Sequence, residues 1–485
     1  MSKYIPTIGL EIHAELKTKT KMFCSCLNET FNIEPNKNTC PICLAHPGTL
    51  PVVNKKAVEL VLKIGMALQG DIPQFSKFDR KNYFYPDIPK AYQISQYDLP
   101  LVFGGVLRGV KLTRIHLEED TGSLEHGKDK NGNEVSFVDY NRAGVPLMEL
   151  VTEPDIKSAE QASEFAKELQ LTLKYLGASD ADMEKGLMRV EANVSLGTIL
   201  NGEFKFGTKV EVKNIASFSS VRGAIEYELK RQEGVLESGG KVVQETRGWD
   251  ANTGTTFSQR SKESAHDYRY FPDPDIPPLD LSKISLKEIK ASIPELPGIK
   301  RLRFQKEYGL NEEQANILIQ DLALARFFEE SVSEIEAEDN INTKKEIQLI
   351  YNYLTSDLMG LMSALKQGFG EIKITPENFS DLIEMISHNK VSSRSAKDIL
   401  KKMFETGEDP HNLLSSLGLE QVSDENELRL LAHKILAENP KAIEDFKKGK
   451  ENALQFLVGR AMGALKGKGN PGILQKIFRE ELLKL

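Results

Sequence analysis

Four signals are missing from this chain of 485 residues. No apolar run approaches the length of a membrane span, and residues 1–6 lack the apolar segment of a secretory signal. The phosphate-loop motif G-x-x-x-x-G-K-[ST] is missing, because its nearest approach, residues 463–468, has the wrong spacing and no Ser or Thr. The nucleophile motif G-x-S-x-G is missing as well. We therefore expect a cytosolic protein that does not work through an acyl-enzyme.

Cysteine is scarce, and its four copies all lie within a stretch of twenty residues. The pattern is C-x-C, then thirteen residues, then C-P-x-C, formed by Cys24, Cys26, Cys40 and Cys43. Because thiols stay reduced in the cytosol, this pattern favours a zinc tetrathiolate over disulfides, free thiols or a redox pair. Four ligands would close the coordination shell, so we expect a structural zinc ion and no cysteine nucleophile.

Positive charge is also in deficit, since the formal net charge is −8. This balance argues against nonspecific nucleic-acid binding by the chain as a whole. Residues 446–485 differ, because they hold nine Lys or Arg residues against three Glu residues, a local charge of +6. The sequence therefore predicts an electropositive C-terminal end on an otherwise acidic protein.

An unusual polar face is predicted for residues 8–15. Apolar and polar residues alternate there, which indicates a strand that buries one of its two faces. The other face would present Glu11, His13 and Glu15. A solvated face with a chance acidic bias is the alternative interpretation.

Later segments place similar groups on further predicted strands. The alternation recurs at residues 114–120, 189–196 and 208–214, and an apolar strand interrupted by one carboxylate ends at residue 150. The polar side chains that these strands add are His116, Glu118, Glu149, Glu191 and Glu211. Carboxylates crowded on one sheet face repel one another and need a cation. Oxygen ligands with an imidazole suit Mg²⁺ or Mn²⁺ better than a soft metal.

Basic and aromatic residues interleave in an irregular loop at residues 75–93. Two prolines near its centre exclude a regular helix. Its side chains suit contact with phosphate and stacking on a base or adenine ring, and the candidates are Arg80, Lys81, Tyr83 and Tyr85. A loop pinned by its own buried aromatic rings is an equally good interpretation.

The fold class that these patterns predict is α+β. Strand patterns, with a hairpin at the Asn-Gly pair of residues 131–132, give way to helical patterns after a proline-rich stretch. One of the predicted helices spans residues 312–329. The predicted domains are a large antiparallel-sheet, cradle-like catalytic domain at 1–293 with its zinc segment at 24–43, an all-α domain at 294–407, and a small, basic α-helical tail domain at 408–485.

The residues alone predict a Mg²⁺-dependent phosphoryl-transfer enzyme or RNA phosphoesterase with an RNA-binding tail. A noncatalytic scaffold that binds structured RNA, with the acidic face as its docking surface, is a hypothesis of a different class. Binding of ATP with Mg²⁺ by the N-terminal half would separate the two.

Several of these stretches together resemble the B subunit of the tRNA-dependent amidotransferases, in the GatB/GatE family that includes the archaeal E subunit. The matching stretches span essentially the whole chain and lie at residues 8–15, 76–96, 115–122, 138–149, 206–214, 267–278, 456–459 and 467–471. Some members of the family lack the four cysteines, which this sequence has in full. The resemblance therefore implies that zinc supports the fold and does not take part in catalysis.

The resemblance implies that ATP phosphorylates the side-chain carboxylate of Glu-tRNA(Gln) or Asp-tRNA(Asn). Ammonia then displaces phosphate from the acyl phosphate and leaves the amide. A separate amidase, the glutaminase partner, would release the ammonia from glutamine, and a small third protein would complete a heterotrimer. Which misacylated tRNA is the substrate stays open at this point.

Roles for single residues are also implied by the resemblance. The candidates for catalysis are Glu11, His13, Glu118, Glu119, Glu149, Glu191 and Glu211. The magnesium ligands among them would be Glu11, His13, Glu119 and Glu149. ATP or the acceptor end of tRNA would contact Arg80, Lys81, Tyr83 and Tyr85, and the body of the tRNA would contact Lys466 and Lys468.

Overall fold

The computed structural model describes residues 3–261, 268–335, 340–419, 424–465 and 468–484. The described chain combines a large β-sheet with many helices, as the sequence predicted. It divides into two compact units, Met1–Gly298 and Ile299–Leu485. The finer boundaries at 293 and 407 stay predictions.

All strands of the described residues lie in the first unit. In chain order they are β1 Ile5–Glu15, β2 Phe75–Ser76, β3 Asp79–Asn82, β4 Tyr92–Ser95, β5 Val102–Phe103, β6 Val106–Leu107, β7 Val110–Glu119, β8 Ser123–Lys128, β9 Glu134–Asp139, β10 Pro146–Thr152, β11 Met188–Leu200, β12 Glu203–Lys205, β13 Val210–Ile215, β14 Glu245–Asp250, β15 Thr255–Ser261, β16 Phe271–Pro272 and β17 Leu279–Asp280.

Helices are spread over both units. The α-helices are α1 Lys55–Ala67, α2 Ala159–Tyr175, α3 Phe218–Glu237, α4 Leu286–Ala291, α5 Pro297–Tyr308, α6 Glu312–Ile319, α7 Leu322–Ser333, α8 Asn340–Asn352, α9 Met359–Leu365, α10 Pro376–Ser387, α11 Ser393–Thr406, α12 Pro410–Leu417, α13 Glu425–Glu438, α14 Pro440–Lys447, α15 Asn452–Ala464 and α16 Pro471–Lys484. A 3₁₀ turn at Leu281–Lys283 and a π-helical stretch at Tyr353–Leu358 complete the set.

The large sheet is organised around β1, which lies between β10 and β11. Its strands follow the order β15-β14-β13-β11-β1-β10-β7-β5, with the short β12 and β6 paired to β11 and β7. The pairs are antiparallel except for β13 with β14. The strand segments that the sequence predicted to share polar groups are therefore neighbours in one sheet.

The apolar face of this sheet forms the core of the first unit. On β1, Ile8, Leu10, Ile12 and Ala14 are at most 1% exposed. They belong to one buried cluster with apolar side chains of α1, α2 and α3. Because successive side chains of a strand point to opposite faces, burying this set turns Glu11, His13 and Glu15 to the other face.

Side-chain caps fix where several helices begin. The sequence predicted one helix over residues 312–329, and this prediction was wrong. The chain forms α6 and α7 instead, because the Asp321 carboxylate accepts hydrogen bonds from the backbone N–H groups of Ala323 and Leu324 and starts a second helix. No helix among the described residues combines the length and apolar character that crossing a membrane requires.

The C-terminal helices α13 to α16 share a core of their own within the second unit. Leu428, Leu457, Leu474 and Phe478 are fully buried in it. Residues from α13 through α16 contribute to this one cluster, so the end of the chain is a packed helical bundle.

Candidate functional site

A row of polar side chains crosses three neighbouring strands on the polar face of the sheet, opposite its apolar face. His13 of β1 lies opposite Glu149 of β10, which lies opposite His116 of β7. The Glu149 carboxylate is 3.3 Å from Nε2 of His13 and 3.3 Å from Nε2 of His116. Strand register therefore places one buried carboxylate between two imidazoles.

Two further carboxylates complete this cluster. Nε2 of His13 lies 3.7 Å from Glu118 and 3.9 Å from Glu11. Nε2 of His116 is also 3.7 Å from Glu118, which accepts a 2.8 Å hydrogen bond from the Ser95 hydroxyl. We call Glu11, His13, His116, Glu118 and Glu149 the carboxylate–imidazole cluster.

Burial and charge strongly shift the pKa values in this cluster. Burial raises the pKa of Glu11 to about 7, helped by the negative charges of Glu149 and Glu191. Burial alone would lower the pKa of His13, but the hydrogen bond to Glu149 and the nearby carboxylates outweigh it and raise that pKa to about 9. Burial likewise opposes ionisation of Glu149, yet His116 and His13 hold its pKa well below the usual value.

The cluster offers ligand atoms for a divalent cation. One oxygen or nitrogen from each of Glu11, His13 and Glu149 lies within 4.8 Å of the others, and the same holds for His116, Glu118 and Glu149. Among the described residues, Nδ1 of His13 and Nδ1 of His116 are buried without a hydrogen-bond partner. Carboxylate oxygens with imidazole nitrogens fit Mg²⁺ or Mn²⁺, in agreement with the donor set expected from the sequence.

The acidic face continues from Glu11 onto β11 and β13. Glu11, Glu191 and Glu211 also bring ligand atoms within 4.8 Å of one another. Here Lys213 donates to Glu191 at 2.7 Å, and the Thr246 hydroxyl donates to Glu211 at 2.8 Å. This side of the face is thus partly neutralised by the protein itself.

Lys81 brings positive charge to the carboxylate–imidazole cluster. Burial disfavours its charged form, but Glu118, Tyr270 and Glu149 raise the pKa of Lys81 well above its usual value. Its ammonium lies 6.0 Å from the ring centre of Tyr83 and 5.1 Å from that of Tyr268. The aromatic–basic loop therefore supplies a lysine and aromatic rings beside the acidic face.

Arg80 and Tyr85 of the same loop do not join the cluster. The Arg80 guanidinium donates to Asp273 at 2.7 Å and to Asp275 at 2.8 Å, and it stacks 4.3 Å from the ring centre of Tyr92. Tyr85 is 49% exposed. Arg80 thus ties β3 to the segment after β16, and its contact with ATP or tRNA stays a prediction.

Glu119 lies away from the cluster that contains its neighbour Glu118. Consecutive residues of β7 point to opposite faces, so Glu119 turns toward β4. Its carboxylate is 2.5 Å from the Lys90 ammonium and accepts a 3.0 Å hydrogen bond from the backbone N–H of Ile94. The structure thus does not bring Glu119 to the magnesium ligands predicted with it.

The candidate residues for catalysis and metal binding left out several residues that the structure places at the site. His116 was predicted to lie on the polar face, because alternation sets it on the same face as Glu118, but it was not among those candidates. Arg189 donates to both oxygens of Asp120 at 3.0 Å on that face, and alternation marks this pair too. Tyr268 and Tyr270 had no local signal, since β16 reaches the site only through its pairing with β3.

The four cysteines lie together between β1 and α1. One sulfur from each of Cys24, Cys26, Cys40 and Cys43 lies within 4.8 Å of the others. Sγ of Cys43 is 3.8 Å from Sγ of Cys40 and accepts a 3.1 Å hydrogen bond from the Cys40 backbone N–H. Tetrahedral zinc with Zn–S bonds of about 2.3 Å requires sulfurs about 3.8 Å apart, so this donor set fits zinc.

Of the two lysines predicted to contact tRNA, Lys466 lies outside the described residues. Lys468 is partly exposed, and its Nζ donates to the carbonyl of Gly418. One hydrogen bond leaves the lysine charge available to a polyanion, so its role in tRNA binding stays a prediction.

The first unit is therefore a large, mostly antiparallel sheet whose polar face holds a potential divalent-cation site, a class of site suited to phosphoryl transfer. The family model of the GatB/GatE catalytic domain matches residues 6–287, and the model described as GatB domain matches residues 328–482. The chain belongs to the GatB/GatE family. The resemblance stated from the sequence motifs is confirmed.

Relatives of known name match over almost their full length. The protein of Caldanaerobacter subterraneus subsp. tengcongensis is 46% identical over 99% of this chain and 100% of its own length. Those of Caldicellulosiruptor saccharolyticus and Carboxydothermus hydrogenoformans are 46% and 44% identical over 100% of both chains. All three are named as the B subunit of aspartyl/glutamyl-tRNA(Asn/Gln) amidotransferase.

Proposed function

We propose that this chain is the part of a cytoplasmic tRNA-dependent amidotransferase that activates and amidates the misacylated tRNA. The substrate would be Glu-tRNA(Gln), Asp-tRNA(Asn) or both. ATP would transfer its terminal phosphoryl group to the side-chain carboxylate, and ammonia would then displace phosphate to form the amide. The observation that carries the proposal is the carboxylate–imidazole cluster, in a chain whose full-length relatives bear the name of this enzyme.

The residues of the cluster have distinct tasks under this proposal. Glu11, Glu149 and, once deprotonated, His13 would hold Mg²⁺, with His116 keeping Glu149 ionised and Glu118 orienting the two imidazoles. Mg²⁺ would neutralise charge on the transferred phosphoryl group. Glu119 is left out of this set, because Lys90 and the Ile94 backbone already engage it.

Lys81 would hold the anionic phosphates close to the cluster. It is the lysine whose charge is stabilised by Glu118 and Glu149, and its ammonium lies beside the rings of Tyr83 and Tyr268. A permanent cation beside the reacting phosphates stabilises the negative charge that accumulates in the transition state of phosphoryl transfer. The rings offer surfaces on which adenine or a terminal tRNA base can stack.

Ammonia would come from a partner, as the family resemblance implies, and the lack of a G-x-S-x-G motif and of any cysteine outside the quartet agrees with this. We propose a glutamine-hydrolysing amidase and a small third protein as the partners in a heterotrimer. Glu191, which is paired with Lys213, and Glu211, which accepts a hydrogen bond from Thr246, are adjacent to Glu11 and would line the route by which ammonia arrives. The cysteines would hold a structural zinc ion, and the basic C-terminal end would bind the tRNA body.

Glu11→Gln in the complex with its partners tests the proposal. The exchange keeps the size of the side chain and removes a ligand charge. We expect ATP-dependent amidation of both misacylated tRNAs to be lost, while glutamine hydrolysis stays measurable and tRNA binding is nearly unchanged. Glu203→Gln, an exposed glutamate on β12, is the matched control and should leave all three activities at the wild-type level.

Other outcomes would overturn the proposal in recognisable ways. If Glu11→Gln weakens tRNA binding and leaves amidation per bound tRNA unchanged, the acidic face is the docking surface of a noncatalytic scaffold. If the wild-type complex cleaves RNA with Mg²⁺ but forms no amide, the chain is an RNA phosphoesterase.

A further inference from the structure

Lys21 is a buried lysine that the functions proposed so far do not use. Its side chain is 0% exposed and is among the largest fully buried side chains of the chain. Lysine is almost never fully buried unless its charge is paired. Its Nζ donates to the carbonyl of Tyr140 at 3.0 Å and lies 3.9 Å from Sγ of Cys43.

No carboxylate balances this charge within the described part of the chain, where no ion pair shorter than 4.0 Å includes Lys21. A carboxylate oxygen of Glu119 approaches the same Gly144 position as the Lys21 side chain, but this carboxylate is already paired with Lys90 at 2.5 Å. One neutral carbonyl compensates poorly for removing an ammonium from water. The remaining group that can carry negative charge beside Nζ is the sulfur of Cys43.

The surrounding packing holds the lysine in place against the sulfurs. A Cβ placed on Gly144 would lie 3.6 Å from Cδ of Lys21 and 3.6 Å from Cβ of Cys43, so both side chains pack on this glycine. The backbone N–H of Lys21 also donates to the carbonyl of Cys26 at 2.9 Å. The backbone of Lys21 is thus hydrogen-bonded to the segment that holds Cys26, and its ammonium group faces Cys43 in the other ligand segment.

We propose that Lys21 is the charge partner of the zinc tetrathiolate. Zn²⁺ with four thiolates carries a net charge of −2, and the adjacent ammonium offsets part of it. The buried lysine and the anionic centre then stabilise each other, which favours the metal-loaded state. This inference rests on the zinc assignment made above, and it gives Lys21 a positioning role at the metal centre with no part in amidation.

Zinc affinity of the full-length chain tests the inference. Lys21→Met keeps most of the buried stem and removes the charge, and competition with a chromophoric chelator measures the apparent Kd for zinc. We expect binding about 10- to 100-fold weaker than wild type, the usual loss when a group that supports a metal ligand is removed. Lys19→Met, an exposed lysine two residues earlier, is the matched control and should bind zinc like wild type.

A second variant separates charge from hydrogen bonding and guards against a variant that fails to fold. Lys21→Gln keeps a polar N–H group on the side of the Tyr140 carbonyl but carries no charge, so it should weaken zinc binding as Lys21→Met does. Zinc binding by Lys21→Gln within twofold of wild type would overturn the charge role. The increase in Tm on adding zinc should also shrink in both variants, because stabilisation follows ligand affinity.

The result separates this inference from the assignment on which it rests. A wild-type chain that binds no zinc at the four cysteines refutes the zinc assignment. Equal losses of Tm with and without zinc, at unchanged zinc affinity, would mean that Lys21 serves only packing and would overturn the inference.

Discussion

Glu149→Gln should destabilise the first unit by an amount that depends on pH, because Glu149 raises the pKa of His13. Glu149 is 3.3 Å from Nε2 of His13 and provides the hydrogen bond and the nearest charge that raise its pKa to about 9. A raised histidine pKa stabilises the folded state below the unfolded pKa of about 6.5, and this contribution is lost as the pH rises through about 9. Removing Glu149 should therefore cost most at low pH.

The shift in the His13 pKa sets how much the destabilisation caused by Glu149→Gln changes with pH. Between the unfolded value of 6.5 and the folded value of about 9, linkage gives about 3 kcal/mol of stability at pH 6 and almost none at pH 10. Without Glu149, burial opposes the remaining attraction of Glu118 and Glu11, and the His13 pKa falls back toward its ordinary value. The destabilisation caused by Glu149→Gln should thus be about 3 kcal/mol smaller at pH 10 than at pH 6.

Urea unfolding without added Mg²⁺ measures this difference. The single tryptophan, Trp249, lies in the first unit and packs against its core, so its fluorescence follows that unit alone. Ionisation of groups that do not interact with Glu149 cancels when variant and wild type are compared at the same pH, whereas His116, whose pKa Glu149 also raises, changes the difference in the same direction as His13. Glu203→Gln is the control and should show no pH-dependent difference. A destabilisation by Glu149→Gln that is equal at pH 6 and pH 10 would refute the coupling between Glu149 and His13.

Two further predictions concern other charged groups. Burial and, to a smaller extent, the charge of Asp120 raise the pKa of Glu15 to about 7. Wild type should therefore lose stability relative to Glu15→Gln as the pH rises from 4.5 to 7. Urea midpoints of the two proteins that differ by a constant amount over that range would contradict this prediction. Lys468→Ala should weaken tRNA binding and reduce the slope of log affinity against log salt by about 1. The exposed control Lys287→Ala should leave the slope unchanged. An unchanged slope for Lys468→Ala would mean that Lys468 does not contact the tRNA phosphates.

The polar face of the sheet was predictable because its signal is local. Alternation along β1 assigns Glu11 and His13 to the face opposite Ile12, and the same rule applies to His116 with Glu118. The periodicity of each strand says which side chains share a face. It does not say which strands are neighbours or how they are offset. The contact of His13 with Glu149 depends on that offset, which the packing of the whole sheet sets.

The aromatic–basic loop was predictable only in composition. Arg80 and Lys81 are adjacent and both basic, but in β3 they point in opposite directions. Arg80 meets Asp273 and Asp275, which lie almost two hundred residues later. Lys81 meets the acidic face. Which of the two residues reaches the acidic face depends on the pairing of β3 with β16, and no local sequence pattern encodes that pairing.

Sequence by itself determined the α+β class, the cysteine quartet and the set of carboxylates, because spacing and alternation follow from backbone geometry over a few residues. Tertiary structure alone decided that Glu118 joins the cluster while Glu119 pairs with Lys90. It also decided that Lys21 lies beside Cys43. These choices depend on contacts between distant segments, whose energies are settled only when the chain packs.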